Sequence, residues 1–283
     1  AVDRIKSIPV FFSNKKKFQL SNHGPSLASK LKLDKKNYTA SLSIAMSGYT
    51  IGRETIIEGI NQLLAGECIF INRNNYQIKN YYNFIFTNNK KKHSINSLSK
   101  ELKNTTLDIF KSLIEKYDGK QITVPLSAGY DSRLIVSALY HLKAKNVICY
   151  CYGRKNNFEA KTSKAIADQL NYPWFFIPIG NKDTKLNYKS ELYFNYLKYA
   201  DTLASFPYIQ DFFVVDQLKK LDLINSDSLI VNGNTGDFIS GGHIPDMSRI
   251  YKSKNNDLPD RYSYLKPITS HFWFTIAIKP SRL

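Results

Sequence analysis

Cysteine is scarce in this chain and badly placed for cross-linking. Among 283 residues there are three, Cys68, Cys149 and Cys151. That excludes the paired framework of a disulfide-stapled secreted domain. Cys149 and Cys151 lie two apart in an apolar run, so a strand puts both on one face as core packing. A redox pair would want two residues between them. Long apolar runs are missing as well: none approaches the ~18–20 residues of a membrane span. No charged-then-apolar leader opens the chain. These absences lead to the expectation of a cytoplasmic protein in a reducing compartment, with no membrane partner. Acidic residues are in the minority, 23 against 40 Lys and Arg, for a net charge of +17. Such a balance invites a nucleic-acid reading. The lysines, however, are scattered among Asn, Ile and Tyr. The runs at 15–17 and 90–92 read as a solvated turn and a linker. Nucleic acid is therefore not expected as the partner, although a polyanionic ligand stays open.

What is present is a core-forming composition, 43% apolar, in a chain long enough for one large or two ordinary domains. The first ninety residues read mainly as strands and turns. Ile8–Phe12 is a short strand, Ser13–Lys15 its turn, and Phe18–Ser21 a pairing strand. Ser26–Lys32 reads as a short helix, and Thr55–Leu64 has apolar residues at a helical period. Gly66–Ile71 and Tyr76–Phe86 return to β character. The polar, aperiodic stretch Thr87–Ser94 predicts a domain boundary, giving domains 1–90 and 91–283. Beyond it helices and strands alternate. Helices are expected over Asn96–Tyr117, Ser132–Lys143, Glu159–Leu170, Leu192–Ala200 and Tyr208–Leu221. Strands are expected over Ile122–Leu126, Val147–Tyr152, Trp174–Pro178 and Leu229–Val231. That alternation predicts a parallel, doubly wound α/β sheet.

One loop carries chemistry. Ser127-Ala128-Gly129-Tyr130-Asp131-Ser132 lies between a buried strand and an amphipathic helix, where such sheets bind ligands. Small residues at 127, 128 and 129 let backbone N–H groups turn inward around a pyrophosphate. Ser127 and Ser132 offer hydroxyls, and the helix beginning near Ser132 points its positive end at the same anion. Asp131 either caps that helix or holds Mg²⁺ on the phosphates. Arg133 adds a cation, or forms a salt link elsewhere. No Gly-Lys-Ser/Thr follows, so this is not a Walker A loop.

The loop resembles the S-G-G-x-D-S segment of N-type ATP pyrophosphatases, and its flanks Pro125-Leu126 and Arg133-Leu134-Ile135 are most similar to the asparagine synthetase (glutamine-hydrolysing) family. Tyr152-Gly153 followed by Glu159 and Ala167 resembles the family's second strand and helix. Asn232-Gly233-Asn234-Thr235-Gly236-Asp237-Phe238 and the Gly-Gly-His that ends at His243 resemble its S-G-E-G-x-D-E-x-x-G-G-Y segment. Val2–Phe12, Gly48–Gly52 and Gly59–Glu67 resemble the second half of a class II glutamine amidotransferase domain. The implied fold is an adenine nucleotide α-hydrolase-like ATP-pyrophosphatase domain behind a partial β-rich amidotransferase domain. The implied cofactors are ATP and Mg²⁺. The implied catalytic and metal-holding residues are Asp131 and Asp237. Nucleotide contacts would come from Leu126, Ser127, Ala128, Gly129, Tyr130, Asp131, Ser132, Tyr152 and Gly233, with Leu126 and Tyr152 lining the adenine pocket. The implied reaction joins ATP and a small carboxylate into an acyl-adenylate with release of pyrophosphate. Ammonia, or glutamine as nitrogen source, then gives the amide.

Three departures qualify that resemblance. A class II glutaminase uses an N-terminal Cys, whereas this chain opens on Ala1 within the domain. The expectation is an N-terminally truncated, divergent member without glutaminase activity. The family's glutamates fall at Asn234 and Phe238, and an amide cannot take a proton from an attacking amine. Ala128 stands where a Gly is usual, which is tolerable only at negative φ. The tail after Ile244 is too short for the family's remaining helices, and His243 and His271 have no partner at metal spacing. Three alternatives follow: a ring-closing enzyme resembling β-lactam synthetase, an RNA-modifying ATP pyrophosphatase, or an inactive remnant.

Overall fold

A computed structural model describes residues 1–15, 18–72, 75–83, 94–180, 185–234 and 236. The chain divides into two compact units. One holds Ala1–Asn89 with Lys189–Tyr208, and the other holds Lys90–Tyr188 with the residues from Ile209 onward that are described. Among the described residues no helix is long and apolar enough to cross a membrane.

The first unit is built from short strands and two short helices. Strand β1 (Phe11–Ser13) is central, pairing antiparallel with β2 (Gln19–Ser21) on one side and β3 (Asn61–Gln62) on the other. Strands β4 (Glu67–Asn72) and β5 (Asn75–Asn80) make a separate two-stranded ribbon. Helix α1 (Gly24–Leu31) starts at His23, whose ring accepts from the Ser26 amide, and buries Leu27, Ala28 and Leu31.

Helix α2 (Tyr38–Ser47) has no counterpart in the sequence reading. It buries Ala40 alone and shows no apolar stripe. Local chemistry makes it: Asn37 caps the Ala40 amide, and Gly48 closes it at φ 85°. Thr55–Leu64, read as helical, is instead a turn leading into β3. Thr55 Oγ1 bonds the Ile57 and Ile60 carbonyls, and Gly59 takes φ 85°. Those local bonds compete with a helix. The apolar residues Ile57, Ile60 and Leu63 still reach the core.

Helix α6 (Glu191–Ala200), which the sequence alternation places among the α/β elements, belongs to the first unit. The strap after it zips onto that unit by backbone bonds: Thr50 to Ala204, Ile56 to Leu203 and Phe206 to Gly48. Leu203 and Ala204 enter the core beside Phe11, Leu27 and Ile60.

The second unit is mixed α/β with a four-stranded sheet in the order β8-β7-β6-β9, parallel throughout. The strands are β6 (Ile122–Pro125), β7 (Val147–Gly153), β8 (Trp174–Pro178) and β9 (Leu229–Ile230). The helices are α3 (Ile95–Lys116), α4 (Tyr130–His141), α5 (Phe158–Gln169) and α7 (Phe212–Lys220). Alternation along β7 explains the layering. Val147 and Cys149 face a core with Phe110, Val136, Leu139 and Ala167 from α3, α4 and α5. Ile148 and Tyr150 face the other layer, with Val214 and Leu218 from α7. Each fully buried aliphatic side chain contributes about 1.5–3 kcal/mol. Cys149 and Cys151 are free and buried on one face, as their spacing predicts. Burial pushes the Cys149 thiol up to about 12.

The order β8-β7-β6-β9 reverses at β6, because the chain winds outward through β7 and β8 and then returns to β6's other edge as β9. The segments leaving β6 and β9 therefore emerge side by side at the carboxyl ends of adjacent strands. Open parallel sheets bind ligands at such a switch point.

Candidate functional site

Two segments meet at that point: the loop from Leu126 to Ser132, and residues 232–234 and 236 beyond β9. Leu126 is fully buried and its amide donates to the Tyr150 carbonyl, which anchors the loop to β7. From there the loop braces itself. The Ser127 amide donates to Ser132 Oγ at 3.1 Å, the Gly129 amide donates to Ser127 Oγ at 3.1 Å, and the two hydroxyl oxygens lie 3.1 Å apart. The serines were expected to present hydroxyls to an anion. Their first role is to hold the turn, since each accepts a backbone N–H. One hydroxyl hydrogen bridges the pair, and the Ser127 and Gly129 carbonyls lie 3.4 and 3.5 Å from Ser132 Oγ as further acceptors within the loop.

Helix α4 begins two residues earlier than its sequence suggests. Gly129, at φ −70° and ψ 158°, occupies the N-cap position, and Asp131 sits in the first turn. Asp131 is therefore not the cap. The N–H groups of Tyr130, Asp131 and Ser132 belong to the helix's first turn, where no intrahelical acceptor exists. The Ala128 amide has no acceptor among the described residues. Ala128 keeps a negative φ, so its methyl group costs the turn nothing. The result is a short run of amides without intrahelical partners at a positive helix end, electrostatically suited to an anion.

The second segment lies against the first at backbone distance. A β-carbon on Gly233 would come within 2.9 Å of Asp131 Cβ and 3.1 Å of the Ser132 nitrogen. One on Gly236 would come within 2.2 Å of Asp131 Cγ and Oδ1. Glycine is required at both positions by proximity rather than by φ. The Gly236 amide closes a turn onto the Gly233 carbonyl, and the Asn234 amide donates to Asn232 Oδ1. Nothing in the sequence pattern marks Gly236 as a site residue. Only the adjacency of β6 and β9 shows that it faces Asp131.

Tyr152, further along β7, is half-buried, and its hydroxyl donates to Asp211 Oδ1 at 2.6 Å and accepts from Gln210. These bonds orient the ring, and neither partner was anticipated. Asp237 and Phe238 lie outside the described residues, as do His243, His271 and the rest of the tail. Among the described residues no three or more His, Cys, Asp or Glu side chains gather for a metal. Asp131 is a single carboxylate beside the loop. One or two carboxylates suit Mg²⁺, which takes its other ligands from phosphates and water.

The second unit is thus an open, doubly wound parallel α/β domain whose candidate site is a self-braced small-residue loop at the switch point. No family model matches the chain, and no curated protein matches it. Among solved structures it is similar to an NH3-dependent NAD synthetase from Campylobacter jejuni subsp. jejuni NCTC 11168 in complex with the nitrate ion. The identity is 15%, the TM-score 0.35, and the match covers 50% of this chain and 59% of that one. The matched region is less than two thirds of the synthetase's length.

Proposed function

We propose that this chain is an ATP-dependent ligase of asparagine-synthase type. In this reading it activates a carboxylate as an acyl-adenylate, releases pyrophosphate, and passes the acyl group to ammonia as an amide. The observation that carries the proposal is the self-braced Ser127–Ser132 loop at the β6–β9 switch point, with Asp131 against Gly233 and Gly236. Unpaired amides and a helix N-terminus suit two linked phosphoryl groups. The close glycine approach fixes the Asp131 carboxylate beside those amides.

In this reading the amides of Ala128, Tyr130 and Asp131 bind the β and γ phosphates and Tyr152 flanks the adenine, whereas the Leu126 side chain, buried in the core with Val124 and Val136, does not reach it. Asp131, together with Asp237, would hold Mg²⁺, which offsets charge on the leaving pyrophosphate. The substrate carboxylate attacks the α phosphorus, and donors already in place stabilise the charge that develops. Residues 1–90 are read as the partial amidotransferase-like domain, and no glutaminase activity is assigned to them.

The test is direct. The protein is mixed with ATP, Mg²⁺ and a panel of small carboxylates, and AMP and pyrophosphate are measured. Their release with an amino-acid-like acid, with amide formed on adding ammonia, supports the ligase. Release only with tRNA would move the assignment to RNA modification. No release, with no ATP bound, refutes the reading.

A further inference from the structure

The side chain of Arg133 runs backwards along α4, toward the start of the helix. Its Nε donates to the Gly129 carbonyl at 3.2 Å, and its Cζ lies 4.3 Å from the centre of the Tyr130 ring. Two independent contacts thus hold the guanidinium at the rim of the Ser127–Ser132 loop. Tyr130 is 83% exposed, so burial does not explain the position of its ring. Stacking on the cation does. None of the ion pairs formed among the described residues involves Arg133. The salt link elsewhere that its sequence position allowed is not made among those residues. With Nε engaged, the Nη hydrogens remain, in the planar fork that matches phosphate oxygens two at a time.

We infer that Arg133, aimed by Tyr130 and the Gly129 carbonyl, clamps the outer phosphoryl end of a nucleotide held in the loop and selects tri- and pyrophosphate over monophosphate. The inference rests on the nucleotide reading above and deepens it. The loop amides and the helix end favour any anion at this place. A rigid fork beside them adds a contact that only a ligand with a second phosphoryl group can fill. A lysine would not substitute, because an ammonium neither stacks as a plane nor donates in a fork.

The experiment measures binding of inorganic pyrophosphate, ATP and AMP to the full chain by calorimetry, with thermal unfolding as a check on folding. Arg133→Gln should weaken pyrophosphate and ATP at least tenfold while changing AMP less than twofold. Arg133→Lys should fall nearly as far as Arg133→Gln. Tyr130→Ala, which removes the aiming surface, should lose three- to tenfold on pyrophosphate. If the unaltered protein binds pyrophosphate and Arg133→Gln binds it equally well, or loses AMP in equal measure, the clamp is wrong and the nucleotide reading stands. If the unaltered protein binds neither ATP nor pyrophosphate, both fall together.

Discussion

The carboxyl group of Asp131 fills the space that a side chain on Gly236 would need: a β-carbon there would sit 2.2 Å from Asp131 Cγ and Oδ1. Two residues far apart in sequence thus constrain each other. Asp131 keeps its place only while position 236 carries no side chain. Gly236→Ala must therefore push the carboxylate aside. On the proposed ligase reading, the expected result is at least a tenfold loss of ATP-dependent pyrophosphate release. Asp131→Asn should cost activity still more, about a hundredfold, with thermal stability nearly unchanged. A Gly236→Ala protein with full activity would show that the Asp131 position does not matter.

A β-carbon at Gly233 would meet backbone as well as the Asp131 side chain, 3.1 Å from the Ser132 nitrogen. Backbone cannot swing away as a side-chain end can. Gly233→Ala should therefore destabilise the second unit by about 1–3 kcal/mol, visible as a lowered midpoint in urea unfolding.

Ser132 is buried and accepts the Ser127 amide. In Ser132→Ala that N–H loses its partner, at a cost of about 1–3 kcal/mol. The turn should loosen, so affinity for pyrophosphate should fall along with stability. Ser132→Thr keeps the oxygen and should recover part of both, which calorimetry and thermal unfolding would read together.

The first unit holds a buried acid. Glu67 receives Arg53 at 2.5 and 3.1 Å and the Leu64 amide at 2.8 Å. Burial works against its charge, yet the Arg53 hydrogen bonds, the Leu64 amide and the charges of Arg53 and Lys6 win, holding its pKa below the ordinary 4.5. The sign follows: a depressed carboxylate adds stability above its unfolded pKa and loses it as pH falls through the folded one. Stability of this unit should be level from neutral down to about pH 5 and drop below about pH 4. Glu67→Gln should lower stability at pH 7 by about 1–3 kcal/mol and flatten the acid drop. An unchanged acid profile would remove Glu67 from the account.

Thiol chemistry separates the three cysteines. Cys149 is wholly buried with its thiol raised to about 12, and burial raises Cys151 too. Cys68 is half-buried. Iodoacetamide at pH 8 should label Cys68 in the native protein and the other two only after unfolding, as peptide mass mapping would record.

Much of the second unit was legible in the sequence, because strands buried on two faces must be apolar throughout and their helices must be amphipathic. The run 147–152 announces itself for that reason. The first unit was less legible. Helix α2 is made by an Asn37 cap and a Gly48 stop rather than by an apolar stripe. The 55–64 stretch has helical spacing but a local Thr55 turn and a positive-φ Gly59.

The sequence by itself determined the parallel α/β alternation and the loop of small residues ending in Asp131-Ser132, since both rest on local residue types and their spacing. Only the tertiary structure decided what surrounds that loop. Placing β9 beside β6 brings Gly233 and Gly236 onto Asp131, and the strap after α6 joins the first unit through its backbone bonds. Chain-distant neighbours are chosen by strand order and packing, and no spacing along the sequence encodes them.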